Sequence, residues 1–405
     1  MRRLLVNGLA GLALLLAGSA SAATTSIGER GVLHVDGEPV FPLALLRPPA
    51  PGAAAPWGAN AWDELAAAGI TLFAAGPYGA DWTDDALVEA GRWNEAAAAR
   101  GVHTWVNLRE LARAQPGTPQ DARLEQVVRT LADDSALALW KGADEPWLSR
   151  WSPSFLAHAH ATQRTLDPSR LSLLIQAARG TANDLRPYNA VGELMSVDVY
   201  PVRLKSADPN LHGVGRWTSL LREATPSRAV TTTLGICFSG SFDPSGSGVY
   251  VVPSPEQMRY MAYDAILNGA RGLIFFGGSN PACLEPADRA LGWNWTYWSS
   301  VLRRLVREVG PTGRLHPALV RWEPGPRVRA DDWGTQLLSR RVGNEIWVLA
   351  ARHARGTKEV KIRGLPQSLR GGWVYREGRK ISVAKGALTD TFARWDVHVY
   401  RFRKP

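Results

Sequence analysis

Between residues 40 and 312 one pattern recurs: a short apolar run, a polar break, an amphipathic stretch, then the next apolar run. The apolar runs fall near 40–46, 70–75, 102–107, 137–143, 171–176, 194–199, 229–236 and 272–277. The stretches between them, such as 84–100, 119–132 and 153–166, read as helices. A repeat of roughly 30 residues suits a βαβ crossover. Eight such units predict a (β/α)8 TIM barrel, an α/β fold, over 40–312. One helix shows the pattern well. Ser254 and Pro255 open it, and Met258, Met261, Ala262, Ala265, Ile266 and Gly269 form a single apolar stripe facing a sheet. Before the barrel, 23–39 reads as a hairpin turning at Asp36-Gly37. After it, 345–350, 358–362 and 396–402 are β-rich runs separated by turn residues, so 313–405 is expected to be a small antiparallel β-sandwich.

Composition removes several function classes. With 45% hydrophobic and 21% charged residues the chain is too apolar to be disordered. Arg2, Arg3, the apolar stretch Leu4 to Ala17 and Ala20-Ser21-Ala22 read as a signal peptide over 1–22, which predicts export to the periplasm or medium. No later run approaches a membrane span. The net charge of +10 is unevenly placed: 313–405 carries 20 Lys and Arg against 8 Asp and Glu, whereas 23–312 carries 25 against 29. Nucleic acid is therefore a poor partner for the main body. The basic tail domain could touch an acidic envelope polymer; an ordinary solvated basic surface is the plainer reading. Cys237 and Cys283 follow neighbouring strands and are a possible disulfide, with two buried thiols as the alternative. No Gly-x-Ser-x-Gly elbow, phosphate loop, dinucleotide fingerprint or His-Glu-x-x-His occurs, and His158 and His160 are too far around their helix to share a metal, so no metal and no cofactor are expected.

A (β/α)8 barrel does its chemistry where its strands end. The polar residues there are Arg47 after the first strand, Asn107 and Glu110 after the third, Asp144-Glu145 after the fourth, Gln176 after the fifth, and Asp198 and Tyr200 at the sixth. Along the sixth strand Met195, Val197 and Val199 share one face, so Ser196, Asp198 and Tyr200 should face the barrel axis. A carboxylate beside Trp147 and Trp151 should resist ionisation, as a general acid requires. Seventeen tryptophans against nine phenylalanines suggest that some indoles line a binding surface. Trp147, Trp151, Trp293 and Trp295 are the candidates, with packing against the sandwich as the alternative and Trp298 assigned to the last helix.

These segments resemble clan A-type glycoside hydrolases. Lys-Gly-Ala-Asp-Glu-Pro-Trp-Leu at 141–148 is similar to their fourth strand, whose Glu is the acid/base. The stretch 32–43 resembles their entry hairpin, 257–273 their seventh helix and eighth strand, and Asp-Val-Tyr-Pro at 198–201 their sixth strand. The resemblance implies a glycoside hydrolase in which Glu145 protonates the leaving oxygen and Asp144 positions it. It further implies that Arg47, Asn107, Gln176, Tyr200 and the four tryptophans meet an oligo- or polysaccharide.

One departure matters. The retaining nucleophile of that family ends strand seven, and 230–238 here carries no acid. Three readings stay open: Asp198 as base in single displacement, a loop acid such as Asp243 or Glu285 as nucleophile, or a non-catalytic carbohydrate-binding barrel.

Overall fold

A computed structural model describes residues 21–76, 81–202, 209–236 and 251–403. Eight parallel strands close into a barrel: β1 (Leu43–Leu45), β2 (Leu72–Ala75), β3 (His103–Asn107), β4 (Leu137–Asp144), β5 (Leu171–Ala177), β6 (Leu194–Val199), β7 (Ala229–Gly235) and β8 (Leu273–Phe276). Each pairs with its sequence neighbours, and β8 closes on β1. The helices between them start as the sequence chemistry dictates. Asp84–Ala98 is capped by Thr83, Pro119–Leu131 by Thr118, and Pro153–Leu166 by Ser152, the latter two with Pro in the first turn. Pro255–Leu267 opens with a reciprocal Ser254/Gln257 capping box.

Strand parity sorts the core into two layers. Leu43, Leu45, Phe73, Val106, Trp140, Leu174, Met195, Val197, Val230 and Leu234 face the helices in one large cluster. Ala44, Leu72, Ala74, Trp105, Leu139, Leu173, Ile175, Leu194, Ala229 and Ile274 fill the barrel interior. The expected N-terminal hairpin forms, Leu33–Val35 with Glu38–Val40, and Thr25–Ile27 joins it as a third strand. Ala23, Leu33 and Val35 enter the interior cluster, so this small sheet plugs one end of the barrel.

The C-terminal region is a sandwich of a six-stranded and a three-stranded antiparallel sheet. Its strands Glu345–Arg352, Lys358–Arg363 and Val397–Arg403 lie where the β-rich runs were expected. The six-stranded sheet is covered on both faces. Ile346, Val348, Ala350, Tyr400 and Phe402 meet the smaller sheet, whereas Trp347, Leu349, Ala351, Val397 and Val399 join the barrel's own cluster. Double coverage explains the unbroken apolar run 346–351, which no half-exposed strand would carry. The same docking changes the Pro255–Leu267 helix. Tyr260, Tyr263 and Asp264 are buried as well as the expected stripe; Tyr260 packs on Trp395 of the sandwich at 4.6 Å, and Asp264 accepts from the Gly215 amide at 2.6 Å.

Candidate active site

The C-terminal ends of β3 to β7 bring together the polar residues that point along the barrel axis. Register aligns Asn107 with Lys141, Ala177 with Asp198, and Asp198 with Thr233. A bulge between Lys141 and Asp144 shifts the end of β4, so that Asp144 pairs with Ile175 and the chain turns at Glu145. Glu145 takes a left-handed backbone, φ 44°, which costs a non-glycine residue about 1–3 kcal/mol and is typical of positions under functional constraint. Its amide donates to the Ile175 carbonyl at 2.8 Å, and its carbonyl accepts from Ser149 at 3.0 Å, which hold the turn.

Four charged groups define the electrostatics. Glu145 is half-buried, and burial pushes its carboxyl above the ordinary range. Asp144 adds to the rise, while Lys141 and Arg179 oppose it. Asp198 on β6 is pushed up to about 8, first by burial and then by the charges of Asp144 and Glu145; hydrogen bonds from Tyr200 and Thr233 partly offset this. Asp144 is exposed, and its Oδ1 receives the Nζ of Lys141 at 2.6 Å. The lysine is 1% exposed. The buried ammonium and the Arg179 guanidinium therefore face three carboxylates.

Tyr200 lies in the same layer as Asp198. Its phenol stays protonated, held up by burial and by Asp198. Its ring packs on Phe276 at 5.8 Å and over Gly235, where an added Cβ would sit 2.7 Å from it. The inward position at the end of β7 is thus occupied by the Tyr200 ring, which gives a spatial reason for the missing strand-seven acid. Asn107 lines a cavity of about 200 Å³ together with Arg47, Arg109 and Ser279. Its Oδ1 already accepts from the Arg109 amide at 3.1 Å. Arg47 lies over the Phe276 ring, 5.2 Å from its centroid. Glu110 serves the scaffold: its carboxylate accepts from the Trp82 amide at 2.8 Å.

Several expectations need correction. Gln176 is fully buried on the helix-facing side, in register with Val197, because it alternates with the inward Ile175. Its Oε1 accepts from the Trp147 amide at 3.3 Å, so it shapes the loop after β4 and does not meet substrate. Trp293 and Trp295 are 0% and 1% exposed and stack edge to face at 4.8 Å. Gly278 has no side chain to block Trp293, whose indole donates to the Arg47 carbonyl at 3.0 Å. These two indoles are core, as is Trp298. Trp147 and Trp151 remain half-buried in the loop after β4, with Arg113 over the Trp151 ring at 4.4 Å. Glu285 is exposed at the start of the short segment Pro286–Leu291, and the carboxylates that act most on Asp198 are Asp144 and Glu145. Cys283 is disulfide-bonded; Cys237 and Asp243 lie outside the described residues. Lys141 was missed, although a lysine inside an apolar strand was a visible signal. Among the described residues no group of His, Cys, Asp and Glu is arranged to hold a metal ion.

No family model matches the sequence, and no curated protein does. Solved structures do. A family 5 glycoside hydrolase from Bacteroides vulgatus aligns over 94% of this chain and 93% of its own at TM-score 0.57 and 13% identity. An Anoxybacillus α-amylase aligns over 90% and 98% at 0.57 and 12%. A GH30 endoxylanase from Clostridium papyrosolvens aligns over 95% and 100% at 0.51 and 10%. The chain shares with these proteins the architecture of a (β/α)8 barrel followed by a β domain.

Proposed function

We propose that the protein is an exported glycoside hydrolase whose acid is Glu145 and whose second carboxylate is Asp198. The carrying observation is the pairing of a strained, half-buried glutamate on β4 with a raised aspartic acid on β6 in one barrel mouth. The kinship of fold with glycoside hydrolases supports the same reading. In the proposed reaction Glu145 gives its proton to the glycosidic oxygen as the C–O bond breaks. Water adds to the anomeric carbon, and Asp198 takes the proton that water loses. Burial and mutual repulsion raise both carboxyls, so the two acids titrate as a pair. The competent arrangement places a proton on Glu145, with Tyr200 and Thr233 donating to the ionised Asp198. Lys141 Nζ holds Asp144 Oδ1 beside Glu145, and the Asp144 charge helps Glu145 retain its proton.

Trp147 and Trp151 offer indole faces to sugar C–H surfaces, and Arg47 and Asn107 offer donors to hydroxyls. Export rests on the N-terminal segment, and the disulfide at Cys283 fits an oxidising compartment. Reducing-sugar release from a polysaccharide panel, by wild type and Glu145→Gln, tests the assignment. Turnover by wild type alone is expected; equal turnover by both removes Glu145 from the acid role. Gly235 at the end of β7 favours a second reading, a barrel that holds sugar without cleaving it. Glycan binding with no product from any bound glycan would select that reading.

A further inference from the structure

At the opposite end of the barrel a pocket of about 530 Å³ opens between the N-terminal segment, the loops that enter β7 and β8, and Trp322. Its charged side chains are Arg30, Arg222, Arg228 and Arg271, and no carboxylate lines it among the described residues. The guanidinium groups rest on backbone carbonyls. Arg30 Nη1 donates to Trp322 at 2.6 Å, Arg271 Nε to Arg30 at 2.8 Å, Arg228 Nη2 to Asn189 at 3.0 Å and Arg222 Nη1 to Asn268 at 3.3 Å. A carbonyl satisfies a donor but neutralises no charge. Arg340 stands behind this wall, 1% exposed. It, Arg30 and Arg271 surround the Trp322 ring at 4.4, 5.0 and 5.5 Å.

Like-charged groups gathered this closely oppose one another unless something negative joins them. Burial pulls Arg271 down to about 10, and Arg222 pulls it the same way. Burial also pulls Arg340 well down, with Arg271 adding to the effect. Arginines outside the pocket differ: Arg321 is paired with Glu38 and Arg341 with Glu323. Two donors here lack any acceptor, the buried Nε of Arg340 and Nε1 of Trp322. The cluster is also built against local cost. Arg30 holds a left-handed backbone at φ 63°, and Arg222 lies where a Cβ on Gly269 would come within 2.4 Å of it.

We propose that this pocket is an anion site that takes the carboxylate group of an acidic glycan. Planar guanidinium groups match the two oxygens of such a group. The volume exceeds what one small ion fills, and the Trp322 indole with Thr225 and Ser227 in the same wall suits an attached sugar ring. The proposal does not depend on catalysis at the mouth.

The test is calorimetric titration of the whole exported protein at low ionic strength with trigalacturonate, inorganic phosphate and neutral maltotriose. Arg222→Gln and the Arg222→Gln/Arg228→Gln pair change side chains at the rim, and an unchanged thermal midpoint verifies folding. Trigalacturonate is expected to bind, roughly tenfold more weakly in the single variant and more weakly again in the double. Arg222→Lys should restore part of the loss, and added salt should weaken binding. Maltotriose affinity should be the same in every variant. Phosphate bound as tightly as trigalacturonate, and lost in the same variants, would overturn the glycan assignment. Trigalacturonate that fails to bind, or binds all variants equally, would overturn the site itself. Since the readout is binding, an inactive mouth would leave this result unchanged.

Discussion

The two ends of the barrel differ in their charged groups. The mouth mixes signs, Asp144, Glu145 and Asp198 with Lys141 and Arg179, while the plugged end gathers Arg30, Arg222, Arg228 and Arg271 with no carboxylate among the described lining residues. Between them the interior is apolar or carries short hydroxyl residues such as Ser196 and Thr231. Several buried and half-buried arginines elsewhere are paired: Arg259 with Glu308, Arg352 with Asp332, Arg401 with Glu345. Scaffold ion pairs neutralise one another, so the arginine pocket stands out as charge the fold leaves uncompensated.

Substitutions at the mouth should have the largest effects. Glu145→Gln should lower turnover by roughly 10²–10⁴-fold while the circular dichroism spectrum stays native. Retained turnover would remove Glu145 from the acid role. Asp198→Asn should also abolish most turnover, yet stabilise the fold. Asp198 ionises near 8 when folded against an ordinary 3.8. Between those values the folded state holds a proton that the unfolded state has lost, so wild-type stability falls as pH rises across that window. An asparagine escapes this loss. Its thermal midpoint should therefore exceed wild type by several degrees at pH 8 and match it below about pH 4. Trp295→Ala should cost about 3–5 kcal/mol of stability in urea unfolding and leave affinity for sugar unchanged, as a core indole requires. Trp147→Ala should do the reverse. The smallest effect is expected from Lys141→Met. Removing the ammonium makes Glu145 harder to ionise, so the alkaline limb of kcat/KM, where the acid loses its proton, should move upward.

Periodicity carried the architecture. The eight strands lie where apolar runs of strand length alternate with capped helices, and parity on β6 places Asp198 and Tyr200 inward. The same rule applied to β5 turns Gln176 outward, so the misreading of that residue came from position at a strand end taken without parity. Trp293 and Trp295 show a different limit. A loop at the mouth need not be exposed, and only packing against Gly278 and Trp298 reveals that this one folds inward. The arginine pocket was hidden because its members come from segments up to 241 residues apart, as the Arg30–Arg271 contact shows. Regional charge averages pointed instead to residues 313–405, where many basic groups prove to be paired.

The six-stranded sheet lends Trp347, Leu349, Val397 and Val399 to the core that the barrel helices also build. The C-terminal sandwich is consequently not a detachable module. Cutting the chain near residue 313 would strip the Pro255–Leu267 helix of the cover over Tyr260 and Tyr263 and leave Glu308 beside an Arg259 that has lost its anchor at the Val397 carbonyl. Melting of the intact protein should accordingly follow one cooperative transition, and a truncated barrel should aggregate where the whole chain stays dispersed.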